Sequence, residues 1–381
     1  MTKNMKPSRN KLPFLTGLRI IPAMMVVMIH KPIPSTPLAL LTVVHTWYAA
    51  PTWFFVLSGF VITYAYYQSL KQLEIKNCWN YFVARMARIY PLYFFAILIF
   101  WLFAGQKNHL LPYLLAVQAW SLNFNTIAGI LAPAWSVGVE LFLYASFPLL
   151  AFAAWNLKIL ESFKKLIFIG LIILLFLISQ AVYFDLQGRS FLSLNDPNSA
   201  ALWIYFFPLN RLGDFILGML GAGFYLFHSK NSKIKLKIWS YIIYGVIFII
   251  IFEMVTEKYN HYASFYLDSA YAFPFIFLII AMCMNPDCLF SRVLSLPLFV
   301  LLGELSYALY LIHPIAGIFL NYSLDFMSGL INYFFCIILL LGYAYGLHKL
   351  IEKPFNFYLR ERLSFKKLKI TVPFQPSTSM G

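Results

Sequence analysis

Long runs of apolar residues constrain this chain more strongly than any other feature of its sequence. Residues 166–184 contain no charged side chain, and residues 238–255 contain a single glutamate. Because a helix rises 1.5 Å per residue, about 20 apolar residues cross the ~30 Å hydrocarbon core of a bilayer. Charged residues form only 11% of the chain, against about 25% in a soluble domain. The pattern excludes a water-soluble fold and predicts an all-α, polytopic integral membrane protein.

The apolar runs predict ten transmembrane helices and one shorter helix. We expect the ten spans at residues 13–31, 51–70, 88–104, 134–155, 166–184, 201–227, 238–255, 269–284, 298–320 and 329–350. A further apolar run, residues 110–120, is too short to cross the hydrocarbon core. We therefore interpret this run as a re-entrant or interfacial helix.

The distribution of basic residues predicts the orientation of these spans. The net charge is +15, and with the ten spans above 23 of the 29 Lys and Arg residues fall on one side of the membrane and four on the other. Cytoplasmic loops carry an excess of Lys and Arg, so we predict that both termini are cytoplasmic. The positive charge is thus explained by topology and does not indicate nucleic-acid binding.

The chain is predicted to form one membrane domain, residues 13–357, between two basic cytoplasmic segments. The first segment is residues 1–12, and the second, residues 358–381, has the composition of a disordered tail. None of the four cysteines falls in a predicted outer loop. We therefore expect neither a disulfide nor a metal site.

Ionisable residues inside the spans are candidates for function, because a charge near the bilayer centre costs at least ~2.5 kcal/mol. Arg19 and His30 are eleven residues apart on the first span, or about three helical turns, so both project from one face about 16 Å apart. Pro22 cannot donate to the carbonyl of Leu18 and is expected to kink this helix. Alternatively, Arg19 and His30 anchor the span at the two headgroup regions.

Glu140 and Arg211 are the next candidates inside the spans. A carboxylate at the depth of Glu140 needs a partner or a proton, and His30 at a similar depth is one candidate partner. A neutral glutamic acid in a helix contact is the alternative. Arg211 and Asp214 are three residues apart on one helix, a spacing that predicts a local ion pair.

Two further clusters have a helical spacing. Ser306, Tyr310 and His313 lie at i, i+4 and i+7, so they form a stripe that must face protein or water. This stripe serves either helix packing or a substrate. Arg85 and Arg88, in a predicted inner loop, share a helical face and together can bind phosphate. Basic residues also flank most inner span ends, so topology alone is the alternative.

Taken together, these stretches resemble the acyltransferase 3 family of bacterial membrane O-acyltransferases, in the form without a fused extracellular esterase-like domain. The matching motifs follow the order of the family over residues ~13–357: Arg19 with His30, Phe54-Phe55-Val56-Leu57-Ser58-Gly59-Phe60, Arg85 with Arg88, Trp135-Ser136 with Glu140 and Tyr144, Phe215 with Gly218, Ser306-Tyr307 with Tyr310 and His313-Pro314, and Glu352-Lys353-Pro354. The chain departs from the family at Thr16, where aspartate is frequent, and at Pro22, where small residues are usual.

The resemblance implies transfer of an acyl group, most commonly acetyl, from cytoplasmic acyl-CoA to a hydroxyl of a cell-surface glycan. Such a glycan, free or lipid-linked, would be a lipopolysaccharide O-antigen or an exopolysaccharide outside the bacterial cytoplasmic (inner) membrane. His30 is then the expected general base, Glu140 orients it, and Arg19 holds the thioester carbonyl or the CoA. A transient acyl-imidazole on His30 remains an open alternative.

The remaining candidate residues fall into two groups. Those expected to bind the CoA are Arg85, Arg88, Ser306 and Tyr310, and those expected to bind the acceptor or support the site are His313, Ser58, Trp135 and Arg211. The expected partners are acyl-CoA, the acceptor and membrane lipid, without nucleic acid or a metal ion. The sequence does not indicate an oligomeric state.

Two alternatives to glycan acylation stay open. A proton-coupled transporter or flippase would use His30, Glu140, Arg211 and Asp214 as a proton relay. Within the enzyme class, the acceptor would be a small molecule such as a macrolide. The basic inner side is suited to an anionic donor such as acyl-CoA. The sequence does not show which hydroxyl of the acceptor is acylated.

Overall fold

The protein is all-helical within the part of the chain that the structure describes. The structure is a computed structural model that describes residues 12–30, 46–103, 110–189, 194–228, 236–256, 269–314 and 329–365. Every regular element within these ranges is a helix, which agrees with the predicted all-α class. The predicted segment 1–12 and tail 358–381 lie largely outside the described residues.

The α-helices are numbered here in chain order. They are α1 (Phe14–Gly17), α2 (Ile20–His30), α3 (Ala50–Tyr66), α4 (Ile75–Phe103), α5 (Leu110–Leu114), α6 (Phe124–Ala128), α7 (Ala134–Asn156), α8 (Phe163–Leu186), α9 (Leu212–Gly223), α10 (Leu236–Thr256), α11 (Ser269–Met284), α12 (Leu289–Leu294), α13 (Pro297–Ile312), α14 (Gly329–Leu347) and α15 (Lys353–Leu363). Short 3₁₀ segments are formed by Thr46–Ala49, Tyr67–Ser69 and Gln118–Trp120, and π-helical turns by Ala201–Phe206, Phe224–His228 and His348–Glu352.

The helices have the length and composition of a membrane protein. Within the described ranges, four continuous helical stretches are long and apolar enough to cross a bilayer: Ile75–Phe103, Ala134–Asn156, Phe163–Leu186 and Leu330–Leu363. Shorter apolar helices accompany them, and α8 leaves large apolar side chains such as Phe168 and Leu175 on the surface of the protein. A surface of this kind is suited to lipid. The number of ten spans and the side of the termini stay predictions.

Proline interrupts two of the predicted spans. The span expected at 13–31 is divided into α1 and α2 at Leu18 and Arg19, where the Leu18 carbonyl accepts from Ile21 N–H at 3.2 Å because Pro22 has no N–H to donate. The span expected at 201–227 is also divided. Phe207 is extended, as a residue before a proline prefers, and α9 begins only at Leu212.

Helix α4 begins earlier than the sequence analysis predicted. The span was expected from residue 88, but α4 begins at Ile75, so Arg85 and Arg88 lie on a helix and not in a loop. The early turns are stabilised because Tyr81, Ala84 and Ala87 form a buried face against neighbouring helices. The prediction of a loop was therefore wrong at these two arginines, whereas their expected common helical face is present.

The short apolar run at residues 110–120 does not form a spanning helix. It contains α5 and one 3₁₀ turn, separated by Ala116, whose φ is +55°. Tyr93 donates to the carbonyl of Tyr113 at 2.6 Å, and Gln118 donates to the carbonyl of Ala134 at 2.7 Å. These bonds attach the run to α4, through Tyr93, and to the first residue of α7.

Glycines allow several helices to approach one another very closely. Helices α3 and α9 cross at Gly59 and Gly218, where an added Cβ would collide with the Phe215 carbonyl and the Val56 carbonyl, respectively. Helix α13 meets α1 in the same way at Gly303. Small residues are the usual means by which membrane helices gain packing contacts, since hydrocarbon provides no hydrophobic force between them.

The crossing of α3 and α9 predicts that Gly218→Leu lowers the free energy of unfolding by about 1–3 kcal/mol or more. The new side chain overlaps backbone atoms that cannot move independently. Gly342→Leu is the matched control, since an added Cβ on Gly342 has no atom within 4 Å. Thermal unfolding in detergent, followed by size-exclusion chromatography, measures the difference. Equal melting temperatures for the two variants would contradict the close crossing.

Candidate active site

Three cavities follow one another through the helices and contain most of the predicted site residues. The first, here called the basic cavity, has a volume of about 200 Å³, and its charged lining residues are Arg19, Arg85, Arg88, Glu304, Glu352, Lys353 and Arg360. The central passage, about 60 Å³, is lined by polar groups that include Ser58, Ser136, Glu140, Tyr144, Ser306 and Tyr310. The histidine cavity, about 370 Å³, is lined by His30, His313 and aromatic residues that include Tyr48, Phe124, Trp135, Tyr205 and Phe206.

Shared residues show that the cavities form one row. Arg19 and Arg88 line both the basic cavity and the central passage. Pro51 and Tyr310 line both the central passage and the histidine cavity. Arg19, just before α2, and His30, its last residue, therefore line different cavities of the same row.

His30 presents one ring nitrogen to the histidine cavity. Its Nδ1 lies 2.9 Å from the carbonyl oxygen of Val26, one turn earlier on α2. A carbonyl only accepts hydrogen bonds, so Nδ1 carries the proton and the lone pair lies on Nε2. Among the described residues, no side chain hydrogen-bonds to Nε2. This arrangement leaves Nε2 available to take a proton from a ligand.

His313 forms the second imidazole of the same cavity. The ring centroids of His30 and His313 are 4.8 Å apart, and the His313 side chain is only 2% exposed. His313 Nδ1 lies 2.5 Å from the carbonyl of Tyr310, so this nitrogen also carries the proton. Its Nε2 is buried without a partner in the described structure. The cavity thus contains two basic nitrogens near each other.

Glu140 lies in the central passage and does not contact His30. Its Oε1 accepts hydrogen bonds from Ser58 at 3.0 Å and from the hydroxyl of Tyr144. Ser58 is on α3, whereas Glu140 and Tyr144 are both on α7. The expected pairing of Glu140 with His30 is therefore wrong for this structure, because local hydroxyls already satisfy the carboxylate one cavity away from the imidazole.

Tyr310 separates the central passage from the histidine cavity. The hydroxyls of Ser136 and Tyr310 are 2.7 Å apart, and Ser136 itself lies 3.0 Å from the Pro133 carbonyl. Because Ser136 donates its proton to that carbonyl, Tyr310 is the donor in the pair. Ser306 donates to the Gly303 carbonyl of its own helix at 2.8 Å. The stripe of Ser306, Tyr310 and His313 therefore faces the row of cavities.

The basic cavity is rich in guanidinium groups. Arg85 donates to the Tyr66 hydroxyl at 3.2 Å, and its guanidinium carbon lies 5.2 Å and 5.9 Å from the ring centroids of Tyr66 and Tyr144. Arg88 and Arg19 have no ion-pair partner among the described residues. Aromatic faces can support a guanidinium while leaving its N–H groups free for an anion.

Arg211 lies outside this row of cavities. Its side chain and that of Asp214 are 0% exposed, with 3.4 Å between Nη2 and Oδ2, and Nη2 donates to Thr52 Oγ1 at 2.6 Å. Its guanidinium carbon also lies 5.3 Å from the ring centroid of Phe55. The predicted local ion pair is present, whereas the expected contact of Arg211 with a substrate is not supported. The buried pair also lies apart from the row of cavities that a proton relay would follow.

Trp135 lines the histidine cavity as part of an aromatic wall. Its ring centroid lies 5.0 Å from that of Tyr205 and 4.8 Å from that of Phe206. The Tyr205 hydroxyl donates to the Tyr48 carbonyl at 2.8 Å. The lining of this cavity is thus largely aromatic, and His30 and His313 add two imidazoles to it.

The sequence analysis missed Lys353 and Arg360 as lining residues of the basic cavity. Arg360 had been assigned to the tail 358–381, but α15 extends across that boundary to Leu363. Their spacing with Asn356, at i, i+3 and i+7, is a signal that could have placed all three on one helical face. Within the described ranges, no group of three or more His, Cys, Asp or Glu residues is arranged to hold a metal ion.

Comparison with known proteins agrees with the motifs in the cavities. Two proteins of Staphylococcus aureus, from strains COL and MW2, are provisionally named O-acetyltransferases and are each 25% identical to this chain over 324 residues, which is 80% of this chain and 52% of theirs. Acyltransferase MdmB of Streptomyces mycarofaciens is 31% identical over 162 residues, or 38% of this chain and 40% of that protein. The chain spans about half the length of the staphylococcal relatives.

No solved structure matches the chain. The family assignment rests on a match that covers more of the chain than the matches to these relatives. A sequence model described as an acyltransferase domain matches residues 12–349, which include α1 to α14 and all three cavities except the part lined by α15 and the end of the preceding π-helical turn. The chain therefore belongs to the acyltransferase 3 family.

Proposed function

We propose that this protein is a membrane O-acyltransferase. It transfers an acyl group, acetyl in the simplest case, from acyl-CoA in the basic cavity to a hydroxyl of an acceptor in the histidine cavity. The observation that carries this proposal is the row of cavities, with arginines at one end and two imidazoles at the other. A donor and an acceptor that approach from opposite ends require such an arrangement. Family membership supports acyl transfer as the reaction class.

The donor end is suited to the charges of CoA. Arg85 and Arg88 lie three residues apart on α4 and can bind the pyrophosphate of CoA by charge-assisted hydrogen bonds. Arg19 is about 16 Å from His30 along the helix, too far to touch a thioester carbonyl at the imidazole. We therefore assign Arg19 to the CoA. The pantetheine arm then passes Ser306 and Tyr310 in the central passage.

The histidine cavity supplies the base for the transfer step. His30 Nε2 takes the proton of the acceptor hydroxyl, and the acceptor oxygen attacks the thioester carbonyl carbon. The carbon–sulfur bond then breaks, and the departing CoA thiolate receives the proton from His30. His313 Nε2, which is buried and has no partner in the described structure, accepts a hydrogen bond from the substrate that receives the acyl group. A buried nitrogen with an unused lone pair favours binding of a ligand whose hydroxyl donates a hydrogen bond to it.

Glu140 is a positioning residue in this proposal. Its carboxylate joins Ser58 on α3 to Tyr144 on α7, so it holds two walls of the central passage together. Its carboxyl group also lies in the passage that Arg19 and Arg88 line. Because the passage has a volume of only about 60 Å³, small displacements of these helices would obstruct the pantetheine arm.

We propose a sugar hydroxyl of a cell-surface glycan as the acceptor, with the histidine cavity open to the outer side of the bacterial cytoplasmic membrane. Trp135 and its aromatic neighbours supply ring faces of the kind on which a sugar can stack. A small-molecule acceptor such as a macrolide would use the same cavity. Comparing labelled surface polysaccharide with labelled small molecules from cells given radioactive acetate distinguishes the two acceptors.

His30→Ala is expected to abolish acyl transfer, because no other described group offers an open basic nitrogen at this position except His313, whose side chain is buried. The measurement is incorporation of radioactive acetyl from acetyl-CoA into the glycan of membrane vesicles. His228→Ala is the matched control, since His228 packs against Phe163 and Phe224 away from the cavities and its loss should leave transfer intact. Normal transfer by a His30→Ala protein that accumulates at native levels would sink the mechanism.

Arg85→Ala combined with Arg88→Ala is expected to raise the apparent KM for acetyl-CoA by about tenfold or more, since each charge-assisted hydrogen bond contributes roughly 1.5–3 kcal/mol. Arg292→Ala serves as the control because Arg292 is an exposed arginine on α12 that lines none of the three cavities. If the double variant instead accumulates less in the membrane and its KM for acetyl-CoA is unchanged, the two arginines contribute to membrane insertion and not to donor binding.

The orientation of the row predicts the sides from which engineered cysteines react. In a cysteine-free background, Asn125→Cys should be labelled by an impermeant thiol reagent from outside, because Phe124 beside it lines the histidine cavity. Glu161→Cys should be labelled only after the cells are opened, because Glu161 follows the other end of α7. Both side chains are exposed. The reverse labelling pattern is incompatible with a cytoplasmic basic cavity.

A further inference from the structure

Helix α15 covers one side of the basic cavity and is attached to the beginning of α4. The indole nitrogen of Trp79 donates to the Leu363 carbonyl at 2.8 Å, and the N–H of Phe365 donates to Asn80 Oδ1 at 2.8 Å. Trp79 and Asn80 belong to the first two turns of α4. The end of α15 is therefore held at the level of those turns.

One face of α15 lines the cavity and the other does not. Lys353, Asn356 and Arg360, at i, i+3 and i+7, all line the basic cavity. Arg362 is exposed, and its guanidinium carbon lies 5.7 Å from the ring centroid of Tyr358 on the same helix. The two arginines thus have the same charge and nearly the same position in the chain, but only Arg360 faces the cavity.

Arg360 has no counter-ion in the described structure, although it is half-buried. The two carboxylates of the cavity lie near His348, with Nδ1 at 3.0 Å from Glu352 Oε2 and Nε2 at 3.9 Å from Glu304 Oε2. No carboxylate among the described residues lies within 4.0 Å of the Arg360 guanidinium. A partly buried guanidinium without an anion favours a ligand that brings one.

Arg88, Arg85 and Arg360 lie at successive distances from the central passage. Arg88 lines both the basic cavity and the central passage, whereas Arg85 lines only the basic cavity and lies about 4.5 Å nearer the start of α4. Arg360 comes three residues before Leu363, which is bonded to the first two turns of α4. The order from the central passage outward is therefore Arg88, Arg85 and Arg360.

Coenzyme A carries its phosphates in a matching order. Starting from the thioester, the pantetheine arm leads to the pyrophosphate, and the ribose with its 3′-phosphate lies beyond. With the pantetheine arm in the central passage and the thioester near His30, the pyrophosphate lies at Arg88 and Arg85, and the 3′-phosphate lies at the rim of the basic cavity. A phosphate monoester carries a charge of about −1.5 to −2 near pH 7. It is the most highly charged single group of the donor.

We propose that Arg360 binds the 3′-phosphate of the CoA donor and makes the protein select donors that carry this phosphate. The inference rests on the proposed function, because it assumes that acyl-CoA occupies the basic cavity. It adds a specificity residue that lies beyond the matched family region, since that region ends at residue 349.

The test compares binding of CoA and 3′-dephospho-CoA by the purified full chain, using titration calorimetry. Nanodiscs of phosphatidylcholine are used so that no anionic headgroup competes for Arg360. We expect the native protein to bind CoA roughly tenfold more tightly than 3′-dephospho-CoA, as a charge-assisted hydrogen bond at a half-exposed site predicts. Arg360→Gln should bind CoA about tenfold more weakly, with a far smaller change for 3′-dephospho-CoA.

Arg362→Gln is the matched control and should keep the native preference, because it removes the same charge from the outer face of α15. Arg360→Lys, which keeps the charge without the guanidinium fork, should retain part of the preference and shows that the position tolerates substitution. An Arg360→Gln protein that keeps the full preference, or that weakens both ligands equally, overturns the assignment. Failure of the native protein to bind either ligand would overturn the proposed donor as well.

Discussion

The cost of placing a guanidinium in hydrocarbon is the constraint on which the arrangement of this protein depends. Arg19 and Arg88 have no ion-pair partner in the described structure, and they line cavities that can hold water or an anion. Arg211 meets the same constraint differently, through Asp214, Thr52 and two aromatic rings. An arginine that is already paired contributes to the structure, whereas one that faces a cavity can bind a ligand.

Close helix packing determines where the cavities lie. Backbone contacts at Gly59, Gly218 and Gly303 bring α3, α9, α1 and α13 together without intervening side chains. Residues of α3, α4, α7 and α13 line the central passage, and Tyr310 lies at its border with the histidine cavity. In our proposal, this narrow passage allows the pantetheine arm to enter while the donor nucleotide stays at the basic end.

Much of the site could be predicted from the sequence, because intramembrane polar residues are few and their helical spacing is simple. The common path of Arg19 and His30 and the stripe of Ser306, Tyr310 and His313 are examples, as is the ion pair of Arg211. The pairing of Glu140 with His30 could not be predicted reliably, since depth in the membrane does not determine which neighbour satisfies a carboxylate. The early start of α4 was also missed, because its first turns carry polar residues such as Lys76 and Asn77 and lack a continuous apolar signal.

The sequence by itself determined the all-helical class, the membrane character and most candidate residues, because apolar run length and the cost of buried charge are local properties. The tertiary structure decided which candidates share a cavity. It joined Glu140 to Ser58 across two helices, placed Arg211 outside the row and brought Arg360 from the presumed tail to the arginines of α4. These outcomes depend on how helices far apart in the chain cross, and helix crossings are set by packing between side chains that no single segment contains.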